Sequence, residues 1–172
     1  AQIYNTENLL IDNQEYTGSY SRIFPMSGIY IETPVRSTKS NLLITPKASL
    51  VVNGLQPSSN KVSNEESIDA SYSLLNNTAL NRYIGSDKLD NSQRINYSLA
   101  IDKGKFTTSA SQSYEFNKHS KFNVDAGLKD SLSDILTAAA YKGIKNSIVH
   151  DNRINVDIGE IKNQSITYNN DN

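Results

Sequence analysis

Chemistry in a protein begins with side chains that can attack, hold a metal or move a proton, and these are sparse here. His119 and His150 are the only histidines. They lie far apart in sequence, with none of the further ligands a zinc centre requires, so they read as wall or loop histidines. Glu65-Glu66 and the Asp87/Asp90 pair carry the oxygens that calcium prefers. The spacing of a calcium-binding loop is missing, so these read as solvated loop acids. Serines abound, but no Gly-x-Ser-x-Gly elbow exposes one as a nucleophile. Cysteine is absent, which removes disulfides, thiol catalysis and thiolate metal sites. No catalytic, cofactor or metal residue can be assigned, and the sequence points away from an enzyme. Lys47, Arg94 and Lys105 could attract phosphate groups from a polar wall. The plainer reading is that they are ordinary wall or loop charges.

The elements that would carry these residues are strands. Hydrophobic residues make up 37% of the 172-residue chain and charged residues 20%. Globular domains usually reach roughly 45–50% apolar. Ser, Thr, Asn and Gln fill the difference, and the net charge is only −1. That balance, together with ten tyrosines, separates the chain from disordered polar sequences. Without a Lys/Arg cluster, nucleic acid is not an expected partner.

Alternation with a period of two is the dominant pattern. Ile95, Tyr97, Leu99 and Ile101 share one face of a strand, and Arg94, Asn96, Ser98, Ala100 and Asp102 share the other. Lys103-Gly104 then supplies a hairpin connection. In the next strand Phe106, Ala110, Tyr114 and Phe116 oppose Thr107, Ser109, Ser111, Ser113 and Glu115. The pattern predicts about eight antiparallel strands near 3–11, 16–33, 40–53, 93–103, 105–117, 131–142, 146–157 and 161–168, pairing in sequence order. The alternative at 131–141 is one short amphipathic helix. Pro25, Pro34 and Pro46 should mark bulges, strand ends or edges. Long Ser- and Asn-rich connections are expected near 54–91 and 118–130, with at most a short strand near 68–72.

No apolar run is long enough for a transmembrane helix, which leaves a β-barrel open. Ala1-Gln2-Ile3-Tyr4 has neither the basic start nor the apolar core of a signal peptide. An exported parent would therefore contain this chain as an internal piece. Alternation alone does not separate a membrane barrel from a soluble β-sandwich. The long strands, the small residues on the polar face and the aromatics near strand ends (Phe106, Phe116, Tyr141, Tyr168) favour the barrel.

Several blocks strengthen that choice. Ser21-Arg22-Ile23-Phe24-Pro25-Met26 and Leu43-Ile44-Thr45-Pro46-Lys47-Ala48-Ser49-Leu50 come first. Asn64-Glu65-Glu66-Ser67 and Leu80-Asn81-Arg82-Tyr83-Ile84-Gly85-Ser86-Asp87-Lys88 follow. Then come Arg94-Ile95-Asn96-Tyr97, Gln112-Ser113-Tyr114, and Gly127-Leu128-Lys129-Asp130 with Ser133-Asp134. In this order they resemble the barrel of the lipopolysaccharide-assembly family LptD (OstA). The sequence departs from the family at Asn91-Ser92 and Ser111, where glycines are usual, and at Ser73-Leu74 and Asn77-Thr78.

The resemblance implies an all-β fold: an antiparallel up-and-down meander spanning 1–172 as a fragment of a large outer-membrane β-barrel. It implies lipopolysaccharide transport and assembly in the bacterial outer membrane. The implied partners are lipopolysaccharide, outer-membrane lipid, an LptE-like lipoprotein plug and an LptA-like periplasmic bridge, the last reached through parts outside this chain. The family's lateral seam would also lie outside it, and no functional residue transfers. The alternatives are a general porin or receptor barrel and a soluble secreted β-sandwich that acts as a binding module.

Overall fold

The structure, a computed structural model, describes residues 2–11, 13–54, 67, 72–74, 76–85, 87–117, 122, 124–128 and 130–170. Ten strands follow one another: β1 (Gln2–Ile11), β2 (Gln14–Arg22), β3 (Met26–Glu32), β4 (Val35–Arg36), β5 (Leu42–Asn53), β6 (Gln93–Lys103), β7 (Phe106–Asn117), β8 (Ile135–Lys142), β9 (Asn146–Ile154) and β10 (Ile161–Asn170). A single 3-10 turn at Val124–Ala126 is the one helical element among the described residues. The chain is all-β, and every pairing is antiparallel.

Eight strands form one sheet in the order β10-β9-β8-β7-β6-β5-β3, with β4 also on β5. β3 and β4 lie end to end along one edge of β5, and from β5 to β10 strands adjacent in sequence lie side by side, so the expected meander holds from β3 to β10 with β3 and β4 acting as one interrupted strand. It fails at one junction. The strand expected over 16–33 is two strands broken at Ile23-Phe24-Pro25, and β2 pairs only with β1 in a separate two-stranded sheet. Pro25 has no N–H to give to a ladder, and the break falls where that donor is missing.

Pro34 and Pro46 obey the same rule together. Pro34 separates β3 from β4, and Pro46 sits inside β5 opposite Leu99. Thr33 N–H donates to the Pro46 carbonyl at 3.2 Å. In an antiparallel strand a residue's N and C=O point the same way. The missing Pro46 donor therefore faces the β3/β4 interruption, and the β5–β6 ladder loses nothing.

The β6–β7 turn is Gly104-Lys105, one residue later than expected. Gly104 takes φ +63° while Lys103 pairs with Phe106. A positive φ at the first turn position fits the right-handed twist of a hairpin and favours glycine. Residues 131–142, with a helix as alternative, hold a strand that starts later, at Ile135. Its Ala138-Ala139-Ala140 run pairs with Ser109, Thr108 and Thr107 of β7. β9 ends at Ile154 and not at 157, because Asn155 begins a turn: its side chain accepts from the Asp157 and Ile158 amides at 3.0 and 3.1 Å. The expected short strand near 68–72 falls mostly outside the described residues.

The two faces of the sheet are opposites. Across β3, β5, β6 and β7, Ile29, Leu50, Ile95 and Tyr114 stand in register. At the other end Phe106, Tyr141, Ile148 and Tyr168 do so across β7 to β10. Along this apolar face Tyr97 is 42% and Leu99 43% exposed. On the other face Arg94, Asn96, Ser111, Ser113 and Glu115 are buried. Buried apolar side chains are few among the described residues: Val51, Tyr72, Tyr83, Ala126, Leu128 and Leu136. A water-soluble domain does the reverse, burying apolar groups and leaving charges wet.

Candidate functional site

The polar face is buried because the two long connections fold against it. From the first, the Leu80 and Asp90 carbonyls both accept from the Asn53 amide of β5, at 2.7 and 2.6 Å. Asn77 of the same connection donates to the Ser111 hydroxyl on β7. From the second, Ser133 N–H donates to the Ser113 carbonyl, and Ser113 N–H donates to the Ser133 hydroxyl, both at 2.9 Å. Within the sheet, Asn96 on β6 donates to Ser49 on β5 at 2.8 Å.

Under this cover lies an ion cluster. Arg82 grips Asp90 with a fork, Nε to Oδ2 at 2.6 Å and Nη2 to Oδ1 at 3.2 Å. Arg94 Nη1 donates to the same Oδ2 at 2.9 Å. Arg82 Nη2 also lies 2.6 Å from Glu115 Oε1, and both arginines donate to the Ser92 hydroxyl, at 3.1 and 2.6 Å. Arg94 further caps the Ala79 carbonyl. The side chains of Arg82, Arg94 and Asp90 have no exposed surface. Two guanidinium groups and two carboxylates cancel, so the cluster stays neutral as a whole. Burial alone would lower the affinity of Arg82 for its proton. Asp90 and Glu115 outweigh that and hold its affinity for the proton above the ordinary guanidinium level. Phe122 lies over Arg82, 4.8 Å from its Cζ to the ring centre, and stacks on Tyr83 at 4.6 Å. Ser67 accepts from the Asp87 and Lys88 amides at 2.8 and 2.9 Å, fixing the bend that returns the chain to Asp90.

A second cluster sits beside it. Tyr72, Leu128 and Leu136 form a small apolar core with Leu74 and Phe122 packed against it. Burial raises the Tyr72 hydroxyl pKa above its ordinary value. Arg153 of β9 donates to the Asp125 carbonyl at 2.6 Å and pairs with Asp134 at 3.4 Å. Burial pushes the Asp134 carboxyl up, and Arg153 pulls it partly back. Gly127 joins these parts. It has φ +80°, its carbonyl accepts from Asp134 N–H at 2.9 Å, and an added Cβ would meet Arg153 Cδ and Asp134 Oδ2 at 2.9 Å each. Gly127→Ala should therefore cost about 1–3 kcal/mol through the left-handed strain and the displaced ion pair. Hydrogen exchange should locate the loss at 125–134. Unchanged protection there would refute it.

Several readings of single residues change. Asp87 and Asp90 are not solvated loop acids: Asp90 has 0% and Asp87 8% exposure, because loop closure carries them under the cover. Arg94 is not free to meet a phosphate, being committed to Asp90 and Ser92. Lys47 pairs with Glu32 at 3.4 Å, and Lys105 is exposed in a turn. His150 lies on the apolar face, its Nε2 2.7 Å from the Gln164 amide. Among the described residues no His, Cys, Asp and Glu group could hold a metal ion. His119, Glu65 and Glu66 lie outside the described residues.

No protein-family model and no curated protein matches the chain. Residues from four of the sequence blocks contribute to these contacts. Arg82 comes from one, Arg94 from another, Ser113 and Ser133 from two more, and Asp90 and Glu115 stand just outside them.

Proposed function

We propose that this chain is a wall segment of an outer-membrane β-barrel of the LptD kind, which conducts lipopolysaccharide towards the outer leaflet. The observation that carries the reading is the inverted sheet: an open apolar face backed by a buried, hydrogen-bonded polar face. A barrel in a bilayer needs this division, lipid outside and polar lumen inside. The aromatic residues at the two ends of β7 agree in scale. Tyr114 and Phe106 stand about 27 Å apart along β7 at the rise of an extended strand. At the tilt of 35–45° usual for barrels this projects to about 20 Å, close to the apolar band of about 25 Å.

The loops on the polar face supply the second support. They fill the lumen side at one end of the strands, while Ser98, Ala100 and Ser109, nearer the short turns, are only half-buried. A trough of about 440 Å³ runs between Tyr72 and Leu74 on one side and Leu136, Arg153, Asn163 and Ser165 on the other. Its mixed lining of polar and apolar side chains, with Asp151 and Arg153 as the charged groups, suits passage of a large amphipathic glycolipid, and the resemblance names which one.

Photo-crosslinking in living cells tests this. A benzophenone amino acid at Ser98 or Ser109 of the full-length protein should yield lipopolysaccharide adducts, and one at Leu99 should yield phospholipid adducts. Absence of lipopolysaccharide from both polar-face positions, with the protein assembled in the outer membrane, would overturn transport while leaving the barrel.

A further inference from the structure

The two ends of the sheet differ in charge. The β6–β7 turn reads Lys103-Gly104-Lys105, and the β8–β9 turn reads Lys142-Gly143-Ile144-Lys145. Neither contains a carboxylate. Lys142 N–H donates to the Lys105 carbonyl at 2.9 Å, so the turns lie side by side and their four lysines share one rim. Next along this rim, the end of β4 adds exposed Arg36 and the turn to β5 adds exposed Lys39. The nearest acid in sequence, Asp102, is on the polar face and accepts from Thr107 at 2.6 Å. At the opposite end the β9–β10 turn carries Asp157 and Glu160.

Directly beside the basic rim, the apolar face is grooved. Ala139 is small where its neighbours Ile101, Phe106, Tyr141 and Ile148 are large, which leaves a trough of about 400 Å³ with Lys103 at its mouth. Phe106 and Tyr141 wall it as a tilted pair with centroids 5.0 Å apart. The trough is apolar along its length and cationic at one end.

We infer that the trough and lysine rim form a site for an anionic phospholipid of the leaflet that meets the short turns. The acyl chain lies along Ile101, Ala139 and Ile148, and the phosphate is held by Lys103 with Lys105 and Lys145, while Lys142, on the polar side of β8, adds only to the charge of the rim. The aromatic pair sits at headgroup depth, where amphipathic rings settle. This rests on the membrane reading above. Each lysine near an anionic surface strengthens the association about fivefold.

Spin-labelled lipids measure it. The full-length barrel protein, reconstituted in phosphatidylcholine vesicles, should immobilise labelled phosphatidylglycerol at least about fivefold in preference to labelled phosphatidylcholine. The preference should fall towards one in Lys103→Gln/Lys105→Gln/Lys142→Gln/Lys145→Gln. It should survive when the same four are replaced by Arg, and in Lys88→Gln/Lys162→Gln at the other end. If the fourfold Gln variant does not incorporate, Lys142→Gln/Lys145→Gln carries the test with a partial loss. Equal immobilisation of both lipids, or a preference untouched by the Gln variants, overturns the headgroup site and leaves the membrane reading standing. Failure to immobilise either lipid overturns the membrane reading itself.

Discussion

Asp90→Ala should destabilise the protein by about 3–5 kcal/mol, the usual penalty for removing one partner of a buried charge pair. Asp90 accepts from Arg82 twice, from Arg94 once and from Ser92 N–H at 3.1 Å. Its loss leaves two guanidinium groups with no exposed surface sharing Glu115 alone. The cover formed by 76–92 should then lift, so that trypsin cuts at Lys88 before the strands unfold. Removing the partners together separates the cost of stranded charge from that of lost packing. Arg82→Met with Asp90→Leu should cost clearly less than Asp90→Ala, because Arg94 still faces Glu115 across the β6–β7 ladder. A loss below about 1 kcal/mol for Asp90→Ala, the range of exposed pairs, would show the cluster to be hydrated.

The second large effect is expected at Leu99. It pairs with Pro46 and Ala110 midway between the levels of Tyr114 and Phe106, with its side chain open on the apolar face. If that face meets lipid, Leu99→Arg places a charge near the bilayer midplane and costs about 2–4 kcal/mol. Ser98→Arg, one residue away on the polar face, should cost far less. Denaturant unfolding from vesicles compares the two. In a water-facing sheet the ranking disappears, since an exposed surface substitution usually changes stability within about 0.5 kcal/mol. Equal, small effects at both positions would therefore refute the lipid-facing assignment.

Strand alternation made most of the sheet legible. The span of β6 and both its faces follow from Arg94 to Asp102 alone, because a period of two leaves one choice of face per residue. The break at Pro25 was visible as a proline but not as a change of partner. Whether β2 continues beside β3 depends on pairing across the chain, which no local pattern carries. The ion cluster was the least legible part. Asp90 and Arg82 sit in a polar stretch that looks like any wet loop, and their burial requires the loop to return over the sheet. A usable signal did exist. Arg94 and Glu115 occupy the same face of adjacent strands, and a charged pair there asks for further partners. Gly127 likewise reads as a loop glycine until Arg153, distant in sequence, is placed against it.

The connection between β5 and β6 also sets a sequence of events in time. The β6–β7 and β8–β9 ladders are closed by turns of a few residues, so they can form as local hairpins within microseconds. Joining β5 to β6 must instead close the whole segment from 54 to 92, and the entropy of that closure rises with its length. The Arg82, Asp90 and Ser92 contacts are local to the end of that segment, but the bonds from Asn53 to the Leu80 and Asp90 carbonyls form only when the segment closes. The cover is therefore tied down over β5 last, after the local hairpins have paired. Until then the growing sheet shows water or a chaperone its bare serines and asparagines on one side, its tyrosines and isoleucines on the other.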